Sequence, residues 1–204
     1  MDAAWLGERL GPFAQQLGVS IEPALLDPLA RYAGLVLEWG ERVNLTGART
    51  PEVLVDEHIA DAWALLPHLP GEAFRFVDVG SGAGLPGLVL GLARPDARGV
   101  LLEPRGKRHA FLLHAVRQLG LGGRIQVREE RVEAHEPDPR YDVALSRATW
   151  PVLDWLRLAP RLVRQPGGRV LGLEGSSRVA LPAGVVRRPY RIGSRLRAVL
   201  VLEV

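Results

Sequence analysis

The sequence predicts an α/β fold, with a doubly wound, mainly parallel seven-stranded sheet preceded by a helical section. Three observations carry this. Residues 1 to about 70 have helical spacing of apolar positions. From residue 74 onward, short apolar runs alternate with helical segments or turns marked by Pro and Gly. A stretch dense in glycine, "GSGAGLPG", follows the first of those runs. Alternation of this kind argues for a parallel sheet covered on both faces. The chain is accordingly divided into a helical section, residues 1–70, and a sheet domain, residues 71–204, forming one compact unit.

In the helical section Leu26, Leu29, Ala33, Val36 and Leu37 share one face. A further helix starts at Thr50, a suitable N-cap, with Pro51 in the first turn and Glu52 complementing the helix dipole. Its buried stripe is Val55, Ile59, Ala62 and Leu66, and "PHLPG" ends it. Five strands are read from "FRFVDV", "RGVLLE", "RIQVR", "YDVALS" and "GRVLGLEG". Between the second and third, "KRHAFLLHAVRQLG" places Leu112, Val116 and Leu119 on one helix face and stops at Gly120. "EAHEPDPR" is a loop. The tail, "VVRRPYRIGSRLRAVLVLEV", has no helix between its two apolar runs and reads as a closing antiparallel pair.

Composition narrows the function classes. With 47% hydrophobic residues over 204 positions, the chain can bury a substantial core. The absence of cysteine excludes disulfides, thiolate metal sites and cysteine nucleophiles. The histidines lack ligand-like spacing, so no metal site is expected. No apolar stretch reaches bilayer length and the first residues do not resemble a signal peptide, so a cytoplasmic protein without a membrane partner is expected. Lys107 is the only lysine, and the net charge is +3. That mild positive balance permits a nucleic-acid partner without establishing one.

The glycine stretch reads as a strand ending in Asp78-Val79, then Gly80, Gly82, Gly84 and Gly87, then a helix start. In doubly wound sheets, ligands settle at the carboxyl ends of the strands, where this turn would lie. The next strand ends in Glu103, about where an acid grips ribose hydroxyls in such folds. Two cofactor classes fit. Gly82-x-Gly84-x-x-Gly87 matches the dinucleotide pattern, while Asp78-x-Gly80-x-Gly82-x-Gly84 matches the pattern used for S-adenosylmethionine. Asp78 would repel a pyrophosphate but suits an ammonium group or its solvating water. Pro86 removes a donor that an anion would use. S-adenosylmethionine is the favoured reading.

"WGERVNLTGARTPEVLVDEHIADAWALLP", "FVDVGSGAGLPGL", "GKRHAFL", "ERVEA" and "YDVALSRA", in that order, resemble the glucose-inhibited division protein B family. These are small-subunit ribosomal RNA methyltransferases G, with a class I S-adenosylmethionine-dependent, Rossmann-like fold. The resemblance runs from about residue 30 to 175. It implies methylation of guanine N7 in a loop of 16S ribosomal RNA near the decoding site, on naked RNA or on the small ribosomal subunit. It also implies cofactor contacts at Gly80 and Leu85, at Val132 and Glu133 after the third strand, and at Arg147 after the fourth. Its Asn44-Leu45-Thr46 and His58-x-x-Asp61 motifs make Asn44 and His58, with Arg147, the candidates for a role in catalysis. Gly82, Glu103 and Asp78 join the cofactor set from the strand-and-loop reading. The chain departs from the family pattern at Glu103-Pro104, usually aspartate then serine, and at Glu174, where a lysine often precedes the glycine. The latter change puts an anion at a strand end facing the substrate edge.

The chemistry is compatible with this residue set. Guanine N7 carries a lone pair and no proton, so methyl transfer needs alignment and exclusion of water rather than a general base. Pyrimidine C5 methylation through a cysteine is excluded, and "SRAT" lacks the Pro-Pro-aromatic turn of exocyclic amine methyltransferases. Arg105, Lys107 and Arg108, opening a helix at the ligand edge, are candidate RNA contacts. Trp150 and Trp155 suit either core packing or stacking on an unpaired base. Two alternatives stay open: a methyltransferase of the same fold acting on another RNA or a small molecule, and a non-catalytic RNA-binding relative. A monomer is favoured.

Overall fold

The computed structural model describes residues 1–204. Helix α1 (Ala3–Leu17) is capped by the Asp2 carboxylate, which accepts from the Ala4 amide at 3.0 Å, and stops at Gly18 in the left-handed region. Helix α2 (Pro23–Gly40) is opened by a proline, whose missing donor costs nothing in a first turn. Their apolar faces, Leu6 and Leu10 on one and Leu29, Tyr32, Ala33 and Val36 on the other, are buried.

Thr50 caps the next helix as the sequence predicts, accepting from the Val53 amide at 3.3 Å. The continuous α-helix expected there is broken into α3 (Pro51–Val53), a π-helical stretch (Leu54–Ile59) and α4 (Ala60–Trp63). Such wide turns are rare and concentrate at functional sites. Leu66, expected in the buried stripe, is only half-buried because the helix has already ended, with Pro67 unable to continue it.

The sheet is β1 (Arg75–Val79), β2 (Arg98–Leu102), β3 (Ile125–Arg128), β4 (Val143–Ser146), β5 (Arg169–Glu174), β6 (Val185–Ile192) and β7 (Arg195–Glu203). The spatial order is β3-β2-β1-β4-β5-β7-β6. The first five strands are parallel, and β7 pairs antiparallel with both β5 and β6, the closing pair expected. Helices α5 (Gly87–Ala93), α6 (Gly106–Gln118) and α7 (Val152–Leu158) follow β1, β2 and β4. Because the chain winds outward from β1 to β3 and then returns to β4, the switch point lies between β1 and β4. Strand alternation sorts the core. Phe76 and Leu101 face one layer, whereas Val77, Val79, Val100 and Leu102 face the layer holding Trp155 and Leu162.

The layer under Phe76 and Leu88 is continuous with Leu6, Leu10, Leu29, Tyr32, Leu54, Ile59 and Trp63 of the helical section. Each such side chain contributes about 1.5–3 kcal/mol on burial. Together they rival a domain's usual net stability of about 5–15 kcal/mol, so the sheet is expected not to hold its shape without them.

Glu174 does not present a bare anion at the end of β5. It is buried, and Arg187 grips it with two bonds at 2.7 and 2.9 Å, while Arg178 at 3.2 Å and the Val179 amide at 3.1 Å complete the clasp. Burial alone would raise this carboxyl, but the bonds from Arg187 and Val179 and the charges of Arg187 and Arg178 hold it below its ordinary value. Its stabilising effect is therefore present above the unfolded carboxyl range and is lost as pH falls through the lowered native value. Glu174→Lys is expected to destabilise the protein by about 2–3 kcal/mol, discounted because both arginines reach solvent. Thermal unfolding would read this as a drop of several degrees, and an unchanged midpoint would show that the clasp contributes nothing.

Candidate active site

Across the carboxyl ends of β1 to β4 runs a crevice of about 700 Å³. Its floor is the turn after β1, where the Gly80 and Ser81 amides bond the Leu102 carbonyl at 2.9 and 3.1 Å, fastening the turn to the end of β2. Gly80 and Gly82 have φ of 71° and 57°, a region that L side chains rarely adopt. At Gly82 an added Cβ would meet nothing closer than 3.9 Å, so it would stand in the open crevice. Bare main chain thus forms the floor at Gly82, while the Thr149 side chain lies over Gly80, where an added Cβ would collide with its hydroxyl.

Glu103, ending β2, is buried yet lines the crevice. Its two carboxylate oxygens accept from the Gly82 and Arg105 amides, each at 2.9 Å. Beyond β3, Arg131, Val132 and Glu133 line the crevice, Leu85 lines it from within the glycine turn, and the Val132 carbonyl accepts from the Arg161 guanidinium. Leu45, Thr46 and Gly47 of the helical section complete the lining.

The end beyond β4 is formed by Arg147, Ala148, Thr149 and Trp150, with His58. One Arg147 nitrogen donates to His58 Nδ1 at 2.7 Å and lies 3.8 Å from Asp61. Asp61, itself buried, accepts from the Tyr190 hydroxyl at 2.7 Å and from the Arg197 guanidinium. Burial, reinforced by the Arg147 charge, depresses the His58 pKa to about 4, so the ring is neutral near pH 7. With Nδ1 accepting, its proton sits on Nε2. Arg147 Nε is buried without a partner.

The sequence-predicted residues divide as follows. Gly80, Gly82, Leu85, Glu103, Val132, Glu133, Arg147, His58, Arg105 and Arg108 all line one crevice. Lys107 is exposed on the first turn of α6. Arg108, expected to face RNA, instead donates twice to the Asn44 carbonyl, at 3.0 and 2.8 Å. Asn44 is exposed and does not line the crevice; its main chain anchors the Leu45–Gly47 segment. Trp155 belongs to the core, and Trp150 packs against that core while also lining the crevice. Asp61 is flagged only as part of the His58-x-x-Asp61 motif, whereas Arg131 lining the crevice, and Tyr190 and Arg197 behind Asp61, carry no local signal in the sequence. His135, assigned no role in the sequence, is buried between Glu130 and the Tyr141 hydroxyl.

Asp78 lies behind the turn, not in the crevice. It is fully buried, and one oxygen accepts from the Gly87 amide at 3.0 Å while the other has no partner. Its sequence-predicted contact with an ammonium group therefore gives way to bracing the turn, because the strand's alternation points residue 78 away from the ligand edge. Burial, opposed by the Gly87 amide, pushes its pKa up to about 7. Between about pH 4 and 7 the native state then binds more protons than the unfolded state, so stability falls as pH rises and levels off above 7. Asp78→Asn is expected to remove a pH 5-to-8 loss on the order of 1–3 kcal/mol, as read by denaturant unfolding at both pH values. A variant with the wild-type slope would overturn this.

The donor set fits a charged nucleoside. An acid, Glu103, stands beyond β2, apolar side chains stand at Leu85 and Val132, main chain floors the crevice at Gly82, and the Arg147 guanidinium, its Nε unpartnered, closes the far end. No group of three or more His, Asp or Glu gathers where it could hold a metal ion.

Residues 26–180 match the GidB family model, described as rRNA small subunit methyltransferase G. The chain is 37% identical over 198 residues to the ribosomal RNA small subunit methyltransferase G of Myxococcus xanthus, covering 95% of this chain and 90% of that one. It is 38% identical over 181 residues to the Sodalis glossinidius protein of the same name, covering 87% and 86%. Among solved structures, a SAM dependent methyltransferase from Aquifex aeolicus superposes with a TM-score of 0.55 at 17% identity, over 74% of this chain and 93% of that one, a likeness of fold. Sequence, fold and crevice agree, and the chain belongs to the rRNA small subunit methyltransferase G family.

Proposed function

We propose that this protein methylates N7 of a guanine in a loop of 16S ribosomal RNA near the decoding site, using S-adenosylmethionine. The observation that carries the reading is a crevice floored by bare main chain at Gly82, with Glu103 at one end and Arg147 at the other, in a chain of this family. Bound S-adenosylmethionine supplies a methyl group made electrophilic by its sulfonium. Glu103, already fixed by two amides, is placed to accept from ribose hydroxyls, while Val132 and Leu85 offer apolar surface to a purine. Glu133 supplies a polar edge beside them. Arg147, held by His58 and Asp61, is placed to pair with a carboxylate or with the guanine carbonyl edge.

No residue has to remove a proton, because guanine N7 attacks with its own lone pair. The chain's contribution is alignment and exclusion of water. Neutral His58 and the Arg147 guanidinium suit that role, since they orient and donate without competing as nucleophiles. The exposed cations Arg105 and Arg131 of the crevice lining, with Lys107 on the adjoining first turn of α6, are available to phosphates. The protein acts as a monomer in the cytoplasm, where its ribosomal substrate is; no helix is long and apolar enough to cross a membrane. Residues 1–70 and 71–204 act as one unit.

Small ribosomal subunits from cells lacking the gene, incubated with the protein and labelled cofactor, test the reading. One guanine of 16S RNA is expected to gain an N7 methyl group, mapped by chain cleavage at the modified base. Label incorporated at another atom, or none, would overturn it.

A further inference from the structure

We infer that Trp150 is the stacking face against which the target guanine is held, a role that rests on the function proposed above. Trp150 is half-buried and lines the crevice beyond β4, on the opposite side from Glu103 and Val132. If Glu103 takes the sugar of the cofactor, the acceptor base approaches from the Trp150 side.

The ring is held from behind. Its centroid lies 6.1 Å from that of Trp155, with the planes inclined by only 21°. Trp155 is itself immobile: it is 2% exposed, donates from Nε1 to the Leu171 carbonyl at 2.8 Å, and lies against Gly172, where an added Cβ would come within 3.3 Å of it. The segment between Arg147 and Trp150 contains Ala148 at φ 56°, the one non-glycine residue in the chain with positive φ. Strained backbone of this kind persists where the surroundings demand a particular side-chain placement. Core packing accounts for Trp155 and for one side of Trp150, which packs against the same cluster, and leaves the side of the indole open to the crevice unexplained. A flat, pre-ordered π face beside a crevice rim is what an unstacked purine requires, since leaving the RNA stack costs a few kcal/mol that a new aromatic partner offsets.

The test compares Trp150→Leu, which keeps apolar bulk against Trp155 but has no π face, with Trp150→Phe, which keeps one. Trp150→Leu is expected to lower kcat/KM for the small subunit by tenfold to a hundredfold, mainly through KM, as loss of one base–aromatic stack predicts. Trp150→Phe should recover most of that loss. Both should bind S-adenosylhomocysteine within twofold of wild type by calorimetry and remain folded at the assay temperature, with Trp150→Leu unfolding a few degrees lower for loss of the aromatic pair with Trp155. Wild-type activity in Trp150→Leu, equal impairment in Trp150→Phe, or a parallel loss of S-adenosylhomocysteine affinity would each overturn the role and leave the methyltransferase reading standing. A wild-type protein inert on the subunit would overturn both.

Discussion

Replacing Arg147 by alanine is expected to lower methyl transfer by about a hundredfold to a thousandfold, the usual loss when one preorganised charged donor leaves a water-excluded site. The fold should survive. Asp61 keeps Arg197 and the Tyr190 hydroxyl, so removal of Arg147 strands no buried carboxylate. His58 loses its donor, but the ring is half-exposed at the crevice and water can replace it. Arg147→Lys would retain a charge without the planar fork and should recover only part of the activity. Single-turnover rates at saturating cofactor and subunit check this, alongside thermal unfolding. A variant that keeps a third or more of the wild-type rate would remove Arg147 from the site.

The second large effect is expected at Glu103. Glu103→Ala removes the acceptor for the Gly82 and Arg105 amides, loosening the crevice floor, and also the acceptor offered to a ribose. Hydrogen bonds to charged groups contribute about 1.5–3 kcal/mol each. The affinity for S-adenosylhomocysteine should therefore fall about a hundredfold, equivalent to about 3 kcal/mol. Glu103→Gln keeps one acceptor oxygen and should fall in between. Calorimetry reads both, and a Kd within threefold of wild type in the alanine variant would mean that the sugar is held elsewhere.

Much of the fold is legible because it is written locally. The apolar runs that predict strands β1 to β5 coincide with the observed strands to within a residue or two, and the helix predicted to stop at Gly120 does so with Leu119 as its cap. The glycine turn and Glu103 are legible for the same reason: a turn and the acid beyond the next strand have a fixed spacing in a parallel sheet. What escapes is non-local or a matter of phase. In the sequence Glu174 stands as a misplaced anion, because its partner Arg187 lies on the next strand. Asp78 falls within the ligand motif, yet its strand parity turns it to the reverse side of the turn. The π-helical stretch at 54–59 preserves an apolar pattern close enough to an α-helix that periodicity does not reveal it, yet it is this stretch that carries His58 to Arg147. The role of Asp61 depends on Tyr190 and Arg197, brought from the far end of the chain.

That last connection bears on how the enzyme comes into being. Synthesis runs from the helices toward the hairpin, so Asp61 and Arg147 are made before Tyr190 and Arg197 exist to bond the Asp61 carboxylate. His58 can hold Arg147 as soon as both are made, but the Asp61 carboxylate beside that guanidinium gains its two other partners only when the final strands dock, so the surroundings of Arg147 are the last part of the crevice to set.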